Sequence, residues 1–174
     1  MKITDLRCAV IGKHPIVRII TDEGLHGLGE VEFTKTYLKP FVLHFREALI
    51  GEDPTDVERV MLKIRQRGSF KPYGAAVSAI EHALWDIAGK AAGIPVYKLL
   101  GGQVHETLRS YTYLYPHTGS VHSEDARGKN VYNDPDLAAA CALEYVEQGF
   151  NAVKLDPAGP YTAFDGHQPR LIDI

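Results

Sequence analysis

The sequence predicts an α+β unit over residues 1–105, built as a three-stranded antiparallel meander plus helices, followed by the start of an α/β unit over residues 106–174. Three observations lead to this prediction. Alternating and β-branched apolar residues fill residues 2–33, and apolar residues then recur at helical spacing over residues 37–92. A strand–loop–helix–strand pattern begins at Thr107, so the order of elements changes near the end of the first unit.

The meander is predicted from alternation and from tight connections. Residues 3–10 alternate imperfectly, residues 16–21 are rich in β-branched side chains, and residues 25–33 continue as a strand with glycines inside it. Residues 22–24, with the sequence Asp-Glu-Gly, supply the turn between the second and third strands. Neighbouring strands with connections this short are expected to pair antiparallel.

Three helical segments follow the meander. The first covers residues 37–50, and the second is expected to begin with Asp53 as N-cap and Pro54 in the first turn. The third and longest covers residues 74–92, where small and branched apolar residues recur at steps of three and four. Gly93 follows this helix as a stop signal.

The second part of the chain has the pattern of one βαβ unit. A strand over residues 107–114 is followed by a polar loop over residues 116–134, a helix between Pro135 and Gly149, and a strand over residues 151–155. Strands on either side of a crossover helix run parallel, with a right-handed connection. One such unit does not close a sheet, so we interpret the sequence as the front portion of a longer chain.

Composition and charge exclude several classes of protein. The 174 residues are 45% hydrophobic and 24% charged, which is ordinary globular composition. Nineteen basic against 22 acidic residues give a net charge of −3, which argues against nucleic acid as a partner. No apolar run reaches about 18 residues, so we expect a soluble, cytoplasmic protein without a membrane partner. Cys8 and Cys141 are expected to be buried thiols.

The most diagnostic segment is ALWDIAGKAAGIPVYKLLGG at residues 83–102. It resembles the ALWD-x-x-GK-x-x-G-x-P-x-x-x-LLGG signature of the mandelate racemase and muconate lactonising group of the enolase superfamily. The resemblance extends to DEGLHGLGE at residues 22–30 and to GEDP at residues 51–54, and these motifs occur in the family's order. The chain is therefore similar to the N-terminal portion of this family.

The resemblance implies a fold, a cofactor and an assembly. Residues 1–105 would form a capping domain, and residues 106–174 would begin a (β/α)8-type TIM barrel as its first βαβ unit. Family members use Mg²⁺ to hold the carboxylate of a small-molecule substrate while a base removes the α-proton. Their metal ligands are carboxylates on the third to fifth barrel strands, so we expect the ligands beyond Ile174 and assign none here. The family also implies a homo-oligomer, either a dimer or an octamer.

Lys154 and Asp156 are the predicted catalytic residues. They lie two positions apart at the end of the second barrel strand, so they share a face that is interior in a barrel. The family pattern at this strand is Lys-x-Lys, whereas the Lys-x-Asp form resembles dehydratases of the galactonate and mannonate type. A buried ion pair that closes the strand end is the structural alternative.

Polar side chains in loops of both units are the predicted substrate contacts. The resemblance implies that two loops of the capping domain set substrate specificity. The first of these corresponds to residues 12–14, and it is very short here, which would leave room for a large polar substrate. Hydroxyl and carboxylate groups of an acid sugar need donors and acceptors of these types. The candidates are His14, Glu32, Thr34, Lys71, Tyr73, His117 and His167. Ordinary exposed-loop chemistry is the alternative for each of them.

The predicted function is an acid-sugar dehydratase, a carbon–oxygen lyase of carbohydrate catabolism. It would remove the proton α to the carboxylate of an aldonate or aldarate and eliminate the β-hydroxyl as water. A racemase, epimerase or cycloisomerase of the same superfamily is one alternative, which Asp156 disfavours because those enzymes more often need lysine there. A non-catalytic module is the other, and it would apply if the 174 residues were the whole protein.

Overall fold

The structure is a computed structural model that describes residues 1–67, 74–114, 131 and 134–155. The chain divides into two compact units, Met1–Val104 and His105–Ile174. The elements of the first unit are, in chain order, β1 (Ile3–Ile11), β2 (His14–Thr21), β3 (His26–Glu30), a 3₁₀ turn (Thr36–Leu38), α1 (Lys39–His44), α2 (Arg46–Leu49), α3 (Val57–Gln66), α4 (Gly74–Ala92) and α5 (Val96–Leu99). The described elements of the second unit are β4 (Thr112–Tyr113), α6 (Pro135–Glu147) and β5 (Val153–Lys154).

The predicted meander is confirmed. β1, β2 and β3 form one antiparallel sheet in that order. Ile11 pairs with His14, so the connection between β1 and β2 is a two-residue turn of Gly12 and Lys13. Gly12 has a φ of +63°, a conformation that glycine adopts without steric cost and that suits a two-residue hairpin.

The core of the first unit lies between the sheet and α4. Val17 and Ile19 on β2 are fully buried in one cluster with the apolar face of the long helix. Ile80, Ala83 and Ile87, which belong to the predicted periodic face, have no exposed surface. Burying a side chain of the size of valine or isoleucine contributes roughly 1.5–3 kcal/mol, so this packing holds the helix on the sheet.

β3 lies so close to α4 that only glycine fits at two positions. A Cβ atom on Gly27 would lie 1.9 Å from the carbonyl oxygen of Ala83, and one on Gly29 would lie 1.9 Å from that of Ala79. Both neighbours are backbone atoms of a buried helix, so they cannot rotate away as a side chain could. The glycines inside the third strand are therefore required by the approach of the helix.

Two side chains of the signature segment at residues 83–102 form hydrogen bonds with backbone groups of β3, which is an edge strand of the sheet. Asp86 Oδ2 accepts from the backbone N–H of Leu28 at 2.9 Å and from Lys90 Nζ at 2.7 Å. Lys90 Nζ also donates to the carbonyl oxygen of His26 at 2.8 Å. An edge strand carries backbone groups without a ladder partner, and these two side chains supply partners. Asp86 and Lys90 thus have a structural role in the first unit.

The helix predicted over residues 37–50 is divided into shorter pieces. A 3₁₀ turn comes first, α1 ends at His44, and α2 begins at Arg46. The N–H of Phe45 donates to the carbonyl of Val42 at 3.2 Å, which is the tighter i to i−3 bond of a 3₁₀ turn. The buried ring of Phe45 is 1% exposed, so core packing holds the chain at this tightened point.

The prediction that Asp53 begins a helix is wrong. Its carboxylate accepts from the backbone N–H of Thr55 at 3.0 Å and from Thr55 Oγ1 at 2.7 Å. This is an Asx-type turn, in which the side chain closes a local loop instead of starting a helix. α3 therefore begins at Val57, three residues later than Pro54, where the sequence pattern places its first turn.

The second unit has the predicted parallel pairing. Thr112 pairs with Val153 and Tyr113 with Lys154, although each strand is only two residues long and not the longer run that was predicted. The predicted start of the intervening helix is confirmed, since the carboxylate of Asp134 accepts from two backbone N–H groups of the first turn of α6.

Both cysteines are buried, as predicted. Burial raises the pKa of the Cys8 and Cys141 thiols, so neither is an activated thiolate. None of the helices in the described residues is both long and apolar enough to cross a membrane.

The first unit is expected to lose stability in acid. Hydrogen bonding from Arg7, together with the charge of Arg46, lowers the pKa of Asp5 below its ordinary 3.8. The bond from Lys63 lowers the pKa of Glu52 below its ordinary 4.5. A pKa that is lower in the folded state contributes stability above the unfolded value, and this is lost as pH falls through the folded value. Urea unfolding should therefore show little change in stability between about pH 5 and 7 and a decline below about pH 4.

The fluorescence of Trp85, the single tryptophan, follows this transition because it lies on α4. Asp5→Asn should lower stability at pH 7 and flatten the acid dependence. Equal stability of the unaltered protein at pH 7 and pH 3 would contradict this account.

Candidate functional site

Three predicted substrate contacts of the first unit, His14, Glu32 and Thr34, lie on two segments that meet. The first segment, residues 12–15, contains the β1–β2 turn. The second, residues 30–35, begins at the end of β3. We call these two segments together the hairpin site. The order of the sheet brings them together, since β2 pairs with both of its neighbours.

Two backbone hydrogen bonds join the segments of the hairpin site. The N–H of Val31 donates to the carbonyl of Pro15, and that of Thr34 donates to the carbonyl of Lys13, both at 2.9 Å. Thr34 has a φ of +68°, in the left-handed region that disfavours a β-branched residue by roughly 1–2 kcal/mol. Such strain persists only where neighbouring contacts hold it, and it is concentrated at functional sites.

His14 forms a short hydrogen bond and a ring contact. Its Nδ1 lies 2.5 Å from Oε1 of Glu30, and both side chains are about half exposed, at 47% and 51%. The imidazole also lies 4.9 Å from the Phe33 ring, measured between centroids. Neither partner was among the sequence candidates. Glu30 pairs with Ile16, two residues beyond His14 on the same strand face, so the register would have indicated this diagonal neighbour.

Glu32 is paired within its own segment. Lys35 Nζ donates to Oε2 of Glu32, three residues earlier in the chain. This hydrogen bond raises the pKa of Lys35, because it favours the charged ammonium. The pairing offsets a negative charge that would otherwise repel an anionic ligand at the hairpin site.

Lys154, the described member of the predicted catalytic pair, lies against aromatic rings of the second unit. Its Nζ is 4.6 Å from the centroid of Tyr113, its cross-strand partner, and 5.9 Å from that of Tyr111. An ammonium over a ring face is stabilised by about 0.5–1 kcal/mol at an exposed site. The sequence reasoning missed both tyrosines. Tyr111 and Tyr113 are two residues apart in the predicted strand over residues 107–114, and this spacing was the sequence signal that would have placed both rings on one face.

The remaining candidates lie outside the described residues and stay predictions. They are Asp156, Lys71, Tyr73, His117 and His167. The structure thus places three predicted substrate contacts together in the first unit and one predicted catalytic residue in the second.

Within the part of the chain that the structure describes, no group of three or more His, Cys, Asp or Glu side chains could hold a metal ion. A Mg²⁺ site needs several oxygen ligands in near-octahedral geometry. The described residues therefore do not fit such a site.

Comparison with known families and sequences gives consistent matches. The profile of the family described as "Mandelate racemase / muconate lactonizing enzyme, N-terminal domain" matches residues 10–101. A D-galactonate dehydratase of Variovorax paradoxus is 39% identical over 121 residues, which are 66% of this chain and 31% of that protein. The D-galactonate dehydratase family member RspA of Halomonas elongata is 32% identical over 154 residues, 83% of this chain and 33% of that protein.

Solved structures give the same picture. A candidate mandelate racemase/muconate lactonizing enzyme of Labrenzia alexandrii superimposes with a TM-score of 0.79 at 40% identity, over 99% of this chain and 46% of that one. An enolase of Agrobacterium radiobacter with bound Na and L-malate superimposes with a TM-score of 0.71 at 32% identity, over 90% of this chain and 38% of that one. The chain spans about a third of the length of the curated relatives it matches.

Proposed function

Because the chain belongs to the mandelate racemase/muconate lactonizing enzyme family, we propose that it is the N-terminal portion of an acid-sugar dehydratase. The observation that carries this proposal is the 39% identity with a D-galactonate dehydratase over 121 residues. The charged Lys154 beside its aromatic partners is consistent with it, since a fixed cation suits a carboxylate substrate.

The proposed reaction is a dehydration that needs no oxidant. A base removes the proton from C2, next to the carboxylate, and the hydroxyl on C3 leaves with a proton as water. The resulting enol takes up a proton at C3, releases the proton of its C2 hydroxyl and becomes a 2-keto-3-deoxy acid. Mg²⁺ remains an expectation from the family, with its ligands expected beyond Ile174.

The residues of this chain are proposed to bind and orient the substrate and to handle protons. Lys154 provides a positive charge near the reacting carboxylate, and Asp156 is its proposed catalytic partner. Residues of the loops bind the hydroxyl groups and the distal end of the sugar acid. These are His14, Glu32, Thr34, Lys71, Tyr73, His117 and His167.

The proposal is tested with the complete protein, supplied with Mg²⁺ and a panel of aldonates and aldarates in D₂O. We expect at least one acid to give a 2-keto-3-deoxy product, detected as its semicarbazone, with one solvent deuterium at C3. Protein treated with a chelator is the control. Formation of a C2 epimer without loss of water would instead assign a racemase or epimerase. Absence of any turnover across the panel would refute the dehydratase.

A further inference from the structure

The His14 ring is fixed at one edge and open at the other. Its Nδ1 is bound to Glu30, and the Phe33 ring lies against the imidazole. Among the described residues, Nε2 of His14 has no hydrogen-bond partner, and the side chain is 47% exposed. The turn that carries His14 is itself held, through the bond from the strained Thr34 to Lys13. The ring orientation is therefore set before any ligand binds.

The contact with Glu30 determines which nitrogen carries the proton. An ionised carboxylate only accepts hydrogen bonds, so Nδ1 of His14 must be the donor at 2.5 Å. In the neutral imidazole the second nitrogen then has a lone pair and accepts. A histidine in water without such a partner prefers the opposite tautomer, with the proton on Nε2.

We propose that Glu30 is a positioning residue that holds His14 as the Nδ1–H tautomer, and that Nε2 of neutral His14 accepts a hydrogen bond from a ligand hydroxyl. This inference rests on the proposed function for the nature of the ligand. An acceptor at this position suits the hydroxyl end of an aldonate, whereas the second carboxylate of an aldarate has no proton to donate. Glu32 does not compete for the imidazole, since it is bound to Lys35.

The tautomer of His14 is measured directly by ¹⁵N NMR of protein with labelled histidines, at a pH high enough for the imidazole to be neutral. The His14 signals are assigned by their loss in His14→Asn. We expect a protonated Nδ1 and an unprotonated Nε2 in the unaltered protein, and the reverse in Glu30→Ala. The other seven histidines report whether each variant remains folded.

Two further variants make the NMR result specific. Glu32→Ala removes a carboxylate from the same segment but not from His14, so it should leave the His14 signals unchanged. Glu30→Gln keeps an oxygen acceptor and should preserve the Nδ1–H form if folded. A protonated Nε2 in the unaltered protein, or an equal response to Glu30→Ala and Glu32→Ala, would overturn the proposal.

The consequence for binding is measured in the complete protein. Glu30→Ala should raise KM for an aldonate by about tenfold, the effect of one misplaced hydrogen bond, with a smaller change for the corresponding aldarate. Glu30→Gln should restore most of the aldonate affinity. An equal loss for both acids would overturn the assignment of the terminal hydroxyl of an aldonate as the ligand group. If neither acid reacts, the proposed function is refuted. The tautomer of His14 is measured without substrate, so the NMR result does not depend on that outcome.

Discussion

Replacing Gly29 with alanine is expected to destabilise the first unit strongly. The added Cβ would lie 1.9 Å from the carbonyl oxygen of Ala79, and both β3 and α4 would have to move apart to admit it. The cost should be about 3 kcal/mol or more, which is a large part of the stability of an ordinary domain. Urea unfolding followed by circular dichroism and by Trp85 fluorescence measures this loss.

Gly74→Ala is the matched control for this substitution. Gly74 begins α4, and within the described part of the chain a Cβ there would meet no atom within 4 Å. Alanine is the better helix former, so stability should be unchanged or higher by up to about 1 kcal/mol. Gly27→Ala should resemble Gly29→Ala, because its Cβ would meet Ala83 in the same way. Native stability of the Gly29 variant would refute the close approach of strand and helix.

Replacing Lys154 with methionine is expected to abolish most of the proposed dehydratase activity. Methionine keeps the approximate length of the side chain but removes the ammonium that lies 4.6 Å from the Tyr113 ring. A fixed charge or proton-transfer group at a reacting carboxylate contributes roughly 10²–10⁴-fold to the rate. Steady-state kinetics on the complete protein should show this loss in kcat, with thermal stability changed little.

Lys98→Met is the control, since it removes the same charge from α5 in the first unit. It should retain full activity. Tyr113→Phe keeps the ring face that Lys154 contacts and should also remain active, whereas Tyr113→Leu removes it and should lower kcat. If Lys154→Met retained native kcat on every accepted acid, Lys154 would have no catalytic role.

Patterns that depend on neighbouring residues were predicted well. The meander, the long helix α4 and the start of α6 at Asp134 all follow from alternation, 3.6-residue periodicity or a local cap. The errors also have local causes. Asp53 could cap either a helix or a turn, and its hydrogen bond from Thr55, two residues later, favours the turn. The helix over residues 37–50 is interrupted at Phe45, whose ring is held in the core.

The candidate site was predicted in part. His14, Glu32 and Thr34 were selected as polar residues near strand ends, and the sheet does bring their segments together. Glu30 was missed, because its relation to His14 depends on the register of β3 against β2. A shift of one residue would move Glu30 to the opposite face of the sheet, and composition carries no information about that shift.

The sequence by itself determined the order of the main elements and the family, because each motif is a contiguous run whose residue types are required locally. Only the tertiary structure decided what those motifs do. Asp86 reaches the backbone of Leu28 across 58 positions, and Glu30 reaches His14 across 16. Such contacts arise when α4 packs on β3 and when two strands adopt one register. The physical reason is that periodicity specifies which face of an element is buried, whereas packing specifies which edge, backbone group or ring its polar side chains meet.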